Sequence, residues 1–156
     1  MGTVLAISVS AEKGTRKHNV SEALLVADSG IAGDAHAGPG HRQVSLLSLE
    51  SIDTMRQMGA EVNPGDFAEN ITLSKVDLSE IAIGDSIMVG SAELIVTQLG
   101  KECHSRCAIF EAVGDCVMPR EGIFTRVVNG GMIRPGDEVR VILHSDTETA
   151  TRTRPL

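Results

Sequence analysis

Tryptophan and tyrosine are absent from this sequence and phenylalanine occurs three times, so aromatic residues make up only 2% of the chain. Proteins that hold single-stranded nucleic acid stack bases on aromatic faces, and no such platform can be built here. A formal net charge of -7 adds repulsion from a phosphate backbone, so nucleic acid is not an expected partner. Long apolar runs are missing as well: no stretch approaches the ~20 residues that cross a bilayer. The opening MGTVLAISVS alternates like a strand and has no basic residue ahead of its apolar stretch, unlike a signal peptide. Cysteine occurs three times, an odd number that closes no disulfide framework and favours reduced thiols in a cytoplasmic protein.

What is present fits one soluble domain. At 156 residues, 42% hydrophobic and 22% charged, the chain can enclose a single core built from Val, Ile, Leu, Met and Ala. The expected domain covers 1–143. The tail from 144 to 156, HSDTETATRTRPL, carries no apolar pattern and is expected to be flexible.

Short segments rich in Val, Ile and Leu and bounded by turn residues predict strands at 3–10, 22–28, 43–47, 69–73, 85–90, 92–99 and 137–143. Their spacing predicts a mainly β protein, an antiparallel sheet forming a closed or partly open β-barrel with a few short helices. IGDSIMV and PGDEVRV repeat one pattern, a Gly-Asp turn feeding a strand, so Asp85 and Asp137 read as turn residues rather than catalysts. Ser48 can cap a helix over LESIDTMRQM, with Glu50 in its first turn, Ile52, Met55 and Met58 at helical spacing, and Gly59 as the stop. A second helix is expected from near Ser105 or Arg106 through CAIFEAV to Gly114. GIFTRVVNGG (122–131) reads equally as strand or helix.

The stretch with the densest chemistry is GKECHSRCAIF, which holds Lys101, Cys103, His104, Arg106 and Cys107, with Cys116 following. A thiolate is the reactive form of cysteine, and cationic neighbours or a helix N-terminus favour it. Cys107, behind Arg106 and in the first turn of the expected helix, meets both conditions and is the candidate nucleophile; His104 could tune it or shuttle a proton. Cys103 and Cys116 are secondary thiols, and a buried apolar role is the competing reading for Cys107 and, more strongly, for Cys116. Cys103, His104, Cys107 and Cys116 could also form a structural zinc set, although adjacent Cys103 and His104 would aim poorly at one ion.

A second stretch, GIAGDAHAGPGHRQVSLL, is a glycine-rich loop around Gly33, Asp34 and His36, where backbone N–H groups could approach an anion. It is not a GxxxxGK[ST] phosphate loop. Asp34 and His36 could bind a metal or position a proton, or Asp34 could simply brace the turn. NPGDFAENITL adds Glu69 and Asn70, and CVMPREGIFTRVVNGG adds Arg120 and Arg126, whose planar forks suit phosphate or carboxylate.

In this order, GDAHAGPGHRQVSLL, PGDFAENITL, GKECHSRCAIF, GDCVMPREGIFTRVVNGG and RPGDEVRV resemble the MOSC domain family, named for the C-terminal domain of molybdenum cofactor sulfurases, and in particular its small stand-alone bacterial members. The resemblance covers roughly residues 20–143. It implies a β-barrel and a role around molybdenum cofactor, a phosphate-bearing pterin whose dithiolene holds the metal. Cys107 matches the characteristic cysteine, either as a persulfide carrier or as a molybdenum ligand. Gly33, Asp34, His36, Arg42, Glu69 and Asn70 match motifs that line the same cleft, and Arg42, Arg120 or Arg126 would hold the phosphate or pterin at a barrel mouth wide enough to admit it. No lysine in a pyridoxal-phosphate setting is found, so sulfur would come from a separate cysteine desulfurase or other donor and pass to a molybdoenzyme or cofactor-biosynthesis protein. The alternative is a module that stores or delivers the cofactor without turnover.

Overall fold

The computed structural model describes residues 2–11, 17–40, 42–59, 61–67, 69–78, 80–100 and 122–144. Among the described residues eleven strands and one helix follow in chain order: β1 (Gly2–Val9), β2 (His18–Val20), β3 (Ala23–Val26), β4 (Gly30–Ile31), β5 (Val44–Ser48), α1 (Leu49–Gln57), β6 (Ile71–Ser74), β7 (Ser86–Val89), β8 (Ala92–Leu99), β9 (Ile123–Asn129), β10 (Gly131–Ile133) and β11 (Glu138–Ile142). The segment 122–131, ambiguous in sequence, is strand throughout most of its length.

Seven strands close on themselves in the order β1–β11–β7–β8–β9–β5–β6–β1, with β2 paired outside β1. Every barrel pairing is antiparallel except β5 with β6, which is parallel. The closing seam is short, Gly2 opposite Val139 and Thr3 opposite Glu138, and is reinforced by Val4 N–H to Asp137 O and Gly136 N–H to Val4 O. A separate sheet, β10–β3–β4, lays Ala23, Leu25, Ile31 and Ile133 against the same interior.

The alternation of the strands places the core. In β8 Ala92, Leu94 and Val96 point inward while the intervening residues are part-exposed. Inward residues of the other strands, among them Ile7, Leu46, Ile71, Ile87 and Val139, complete one buried aliphatic cluster. A barrel of about this strand number has a bore that side chains just fill, and branched aliphatics fill it here. Among the described residues the bore is therefore packed core rather than a chamber for a pterin.

The helix forms as its sequence predicts. Ser48 stands in extended backbone and its hydroxyl accepts from Ser51 N–H, supplying one of the N–H partners a helix start lacks. Ile52 and Met55 bury against Leu47, Val62, Phe67 and Phe124 in a second cluster outside the barrel wall. The Gly-Asp turns are also the same device used twice: Asp85 Oδ2 accepts from Ala82 N–H at 2.8 Å, and Asp137 Oδ2 accepts from Arg134 N–H at 2.8 Å. Gly84 and Gly136, with φ of 97 and 95°, supply the left-handed residue each turn needs. The expected second helix, from Ser105 to Gly114, lies outside the described residues. The stretch expected to fray begins with a residue that is tied down, since His144 N–H reaches Asp85 Oδ1 and its ring meets Ser86 Oγ at 2.9 Å; 145–156 lie outside the described residues.

Candidate functional site

Where β1 ends, the loop after β4 folds back so that Ala35 N–H donates to Ser10 O. This brings Asp34 against the chain leading into β2. Lys17 Nζ lies 2.7 Å from Asp34 Oδ1, and neither side chain has any exposed surface. The ammonium also reaches Ser10 Oγ and His36 Nδ1, each at 3.1 Å. Asp34 collects further donors in Ser10 N–H to Oδ1 and His36 N–H to Oδ2. Burial by itself would raise the Asp34 carboxyl; the polar surroundings supplied by His36, Lys17, Ser10 and Asn70 outweigh it and hold the group well below the usual carboxylate range. Asp34 is thus ionised at neutral pH and paired with a buried cation, and His36, with 30% of its side chain exposed, is the member of the cluster that meets solvent.

The approach of Lys17 depends on Gly65. The Lys17 N–H donates to Gly65 O, and a Cβ at Gly65, whose φ is +97°, would lie 2.6 Å from Lys17 O and 2.9 Å from Ser8 Oγ. Glu69 fixes that loop from beneath, accepting Gly65 N–H and Thr72 Oγ1 on Oε2 and Phe67 N–H on Oε1. Desolvation raises its carboxyl above the ordinary glutamate value against the pull of these donors. Glu69 has no exposed surface, so it lines no cleft: it holds the loop that Lys17 packs on. Asn70 is equally buried and works between strands. Its Oδ1 accepts Ser45 N–H and Ser45 Oγ, and its Nδ2 donates to Ser8 O, joining β1, β5 and the start of β6.

Much of the glycine loop's amide hydrogen bonding is internal. The N–H groups of Ala32, Asp34, Ala35, Ala37 and Gly38 are bonded to Leu24 O, Ile31 O, Ser10 O, Asp34 O and Ser29 O, and that of His36 to Asp34 Oδ2. The chain around Gly33 is therefore braced from within, and these six amides are already engaged.

The arginines stand apart from this cluster. Arg42 lies on the outer wall, its guanidinium 5.3 Å from the centre of the Phe124 ring, with Nε donating to Gln98 Oε1 at 2.9 Å. Gln98 Nε2 in turn donates to Gly100 O, and Gly100 N–H donates to Gly122 O at 2.7 Å. Arg42 is thus linked to the root of the segment 101–121, which carries the thiols. Arg126, on β9, faces Asp28 at 3.8 Å with both side chains largely exposed, a pair of little energetic weight. Gln43 ties the two arginine regions together, taking Val127 N–H on Oε1 and donating to Asp28 Oδ1. Cys103, His104, Arg106, Cys107, Cys116 and Arg120 lie outside the described residues, as does the zinc set drawn from them. Among the described residues no group of three His, Cys, Asp or Glu side chains is placed to hold a metal ion.

The structure brings Asp34 and His36 together with Lys17 and Ser10, and sets Gln43 beside Asp28 and Val127; the sequence singled out neither Lys17, Ser10 nor Gln43. Lys17 sits in KGTRKH among other basic residues, and nothing local to it points to a carboxylate 17 positions on.

The MOSC domain model matches residues 32–140, and the chain belongs to the MOSC domain family, a family associated with molybdenum cofactor sulfurases. No curated protein matches the sequence. Among solved structures, the YuaD protein of Bacillus subtilis superposes with a TM-score of 0.75 at 20% identity, over 90% of this chain and 96% of that one. YiiM of Geobacillus stearothermophilus gives 0.68 at 18%, over 92% and 76%, and YiiM of Escherichia coli 0.63 at 18%, over 92% and 70%. At such identities the likeness is one of fold. Among the described residues no helix is long and apolar enough to cross a membrane.

Proposed function

We propose that this protein binds a molybdopterin-type cofactor on its barrel rim and carries sulfur to it as a persulfide of Cys107. The observation that carries the reading is the run Arg42–Gln98–Gly100–Gly122, which sets an exposed guanidinium beside the root of the thiol-bearing segment. Donor chemistry supports it. Arg42 and Arg126 offer planar cationic forks for a phosphate or pterin edge, Arg120 adds a third in sequence, and His36 offers a ring nitrogen at the surface. The registers place Ile7, Ile71, Leu46, Ile123 and Leu99 in one row across five strands. The Asp34 cluster and the Gly100–Gly122 pair stand off opposite ends of that row, four strand spacings or on the order of 20 Å apart measured around the closed wall, and less in a straight line. Seven residues of extended chain from Gly100 reach roughly 23 Å, enough to bring Cys107 to His36.

The cofactor would supply a soft metal that accepts sulfur. The chain's own chemistry is a thiol exchange. The Cys107 thiolate attacks the terminal sulfur of a cysteine persulfide on a separate desulfurase; a new S–S bond forms at Cys107, the donor's S–S bond breaks, and the donor cysteine leaves as a thiolate, with no net oxidation. Arg106 and Lys101, its neighbours in sequence, favour the attacking anion, and His104 is positioned in sequence to return a proton to the leaving thiolate. Cys103 and Cys116 are the thiols that could resolve the persulfide. A molybdoenzyme or cofactor-biosynthesis protein would receive the sulfur.

Incubation with a cysteine desulfurase and cysteine, followed by intact-mass and peptide analysis, tests this. One added sulfur atom is expected on the Cys107 peptide, and none in Cys107→Ser, while that variant keeps its affinity for molybdopterin. Sulfur on Cys116 would move the site, and none on any cysteine, with cofactor still bound, would leave a storage or delivery module.

A further inference from the structure

The buried Lys17–Asp34 pair fixes the hydrogen-bonding state of His36. Lys17 carries three N–H donors and no lone pair, and its three partners are Asp34 Oδ1 at 2.7 Å, Ser10 Oγ at 3.1 Å and His36 Nδ1 at 3.1 Å. Facing an ammonium, Nδ1 can only accept. The alternative, Nδ1–H donating to Asp34, is not available in this geometry, because Oδ2 lies 3.7 Å from Nδ1 and already takes the His36 backbone N–H at 3.1 Å. In a neutral imidazole whose Nδ1 accepts, the proton sits on Nε2.

We infer that His36 acts on a bound ligand as an Nε2–H hydrogen-bond donor, with Lys17 as the residue that positions and polarises it, and that it serves neither as a metal ligand nor as a proton acceptor. A metal ligand or base needs a lone pair on the exposed nitrogen, and here that nitrogen holds the proton while the lone pair is spent on Lys17. The chemistry that Nε2–H recognises is an oxygen acceptor, such as a phosphate or a pterin carbonyl. The ligand's identity rests on the function proposed above; the tautomer does not, since it follows from contacts within the chain.

The test is a long-range 1H–15N correlation spectrum of the uniformly 15N-labelled, ligand-free protein, with the His36 ring assigned by loss of its signals in His36→Gln. A pyridine-like Nδ1 and a pyrrole-like Nε2 are expected, unchanged when Zn2+ is added. A pyrrole-like Nδ1, or a Zn2+-dependent shift of the His36 nitrogens, overturns the inference. In Lys17→Met/Asp34→Asn, which removes both buried charges together, the tautomer preference should relax to a mixture; if the folded double variant keeps the wild-type pattern, Lys17 does not set it. Should that variant fail to fold, the wild-type spectrum still decides the state of the ring. His36→Gln retains an N–H donor and should bind molybdopterin within about threefold of wild type, while His36→Ala should lose about tenfold or more, as expected for one hydrogen bond to a charged acceptor. Equal losses in the two variants would count against the donor role. A correct tautomer in a protein that binds no molybdopterin would leave the inference standing and refute the proposed function.

Discussion

Asp34 shows how far a short motif can be read. The i, i+2 spacing of Asp34 and His36 marks a local site, yet the partner that decides its chemistry, Lys17, arrives from another loop through tertiary folding alone. Because Lys17 and Asp34 are both fully buried, removing one charge strands the other. Asp34→Asn should lower the unfolding free energy at pH 7 by about 3–5 kcal/mol, the usual cost of breaking a buried pair. The pH dependence has a definite sign. The folded-state carboxyl lies below its unfolded value, so its contribution is complete above the ordinary Asp pKa of ~3.9 and is lost as pH falls through and below that range. Urea titrations of wild type and variant from pH 7 to pH 3 should therefore show the gap narrowing as acid is added. Glu69 titrates in the opposite sense, its stabilisation being greatest at low pH and fading as pH rises through its raised value; as it is common to both proteins, it cancels in their difference. A gap independent of pH would mean that Asp34 is not ionised in the folded protein.

At the level of elements the strands and α1 were legible because their signals are local: alternation of apolar residues, a serine cap, glycine stops and Gly-Asp turns. Not legible were β2, β4 and β10, two or three residues each, which exist because neighbours pair with them rather than because of their own composition. The parallel junction of β5 and β6 is of the same kind. Nothing in ENITL announces a parallel partner, yet Asn70 makes the junction possible by occupying the gap ahead of the first ladder pair. Its backbone N–H donates to Ser45 O and its side chain takes Ser45 N–H while donating to Ser8 O. Asn70→Ala would take these partners from a buried donor on Ser45 and a buried acceptor on Ser8, a loss of about 2–4 kcal/mol for two buried hydrogen bonds. Chemical denaturation measures the loss, and hydrogen exchange should place the loosened amides at the β5–β6 junction rather than in β7 or β8. Uniform exchange across all strands would show that Asn70 does not act locally.

For the whole molecule, closure into a seven-stranded barrel with a filled bore separates the residues that hold the fold from those available to a ligand. Composition anticipated an aliphatic core but not its consequence, that the space enclosed by the strands is used up by Val, Ile and Leu. Of the groups that the sequence singled out, His36, Arg42 and Arg126 are the described ones with side chains reaching solvent, while Asp34, Glu69 and Asn70 are buried; Arg42 rests on Phe124, part of the cluster that also packs α1. This division makes a paired prediction. Leu46, fully buried in the bore, should cost about 2–5 kcal/mol of stability on truncation to alanine and leave molybdopterin affinity unchanged in the folded fraction. Arg42→Met keeps much of the apolar stem over Phe124, and should leave stability within about 1 kcal/mol because its contact with Gln98 is exposed. Its affinity should drop about tenfold, the worth of a charge-assisted contact, and the remaining binding should become less sensitive to salt because one cationic contact with the anionic ligand is gone. Calorimetric titration at two ionic strengths separates the two variants. Were Leu46→Ala to weaken binding as much as Arg42→Met does, the ligand would have to reach the barrel interior, and the assignment of the site to the rim would fail.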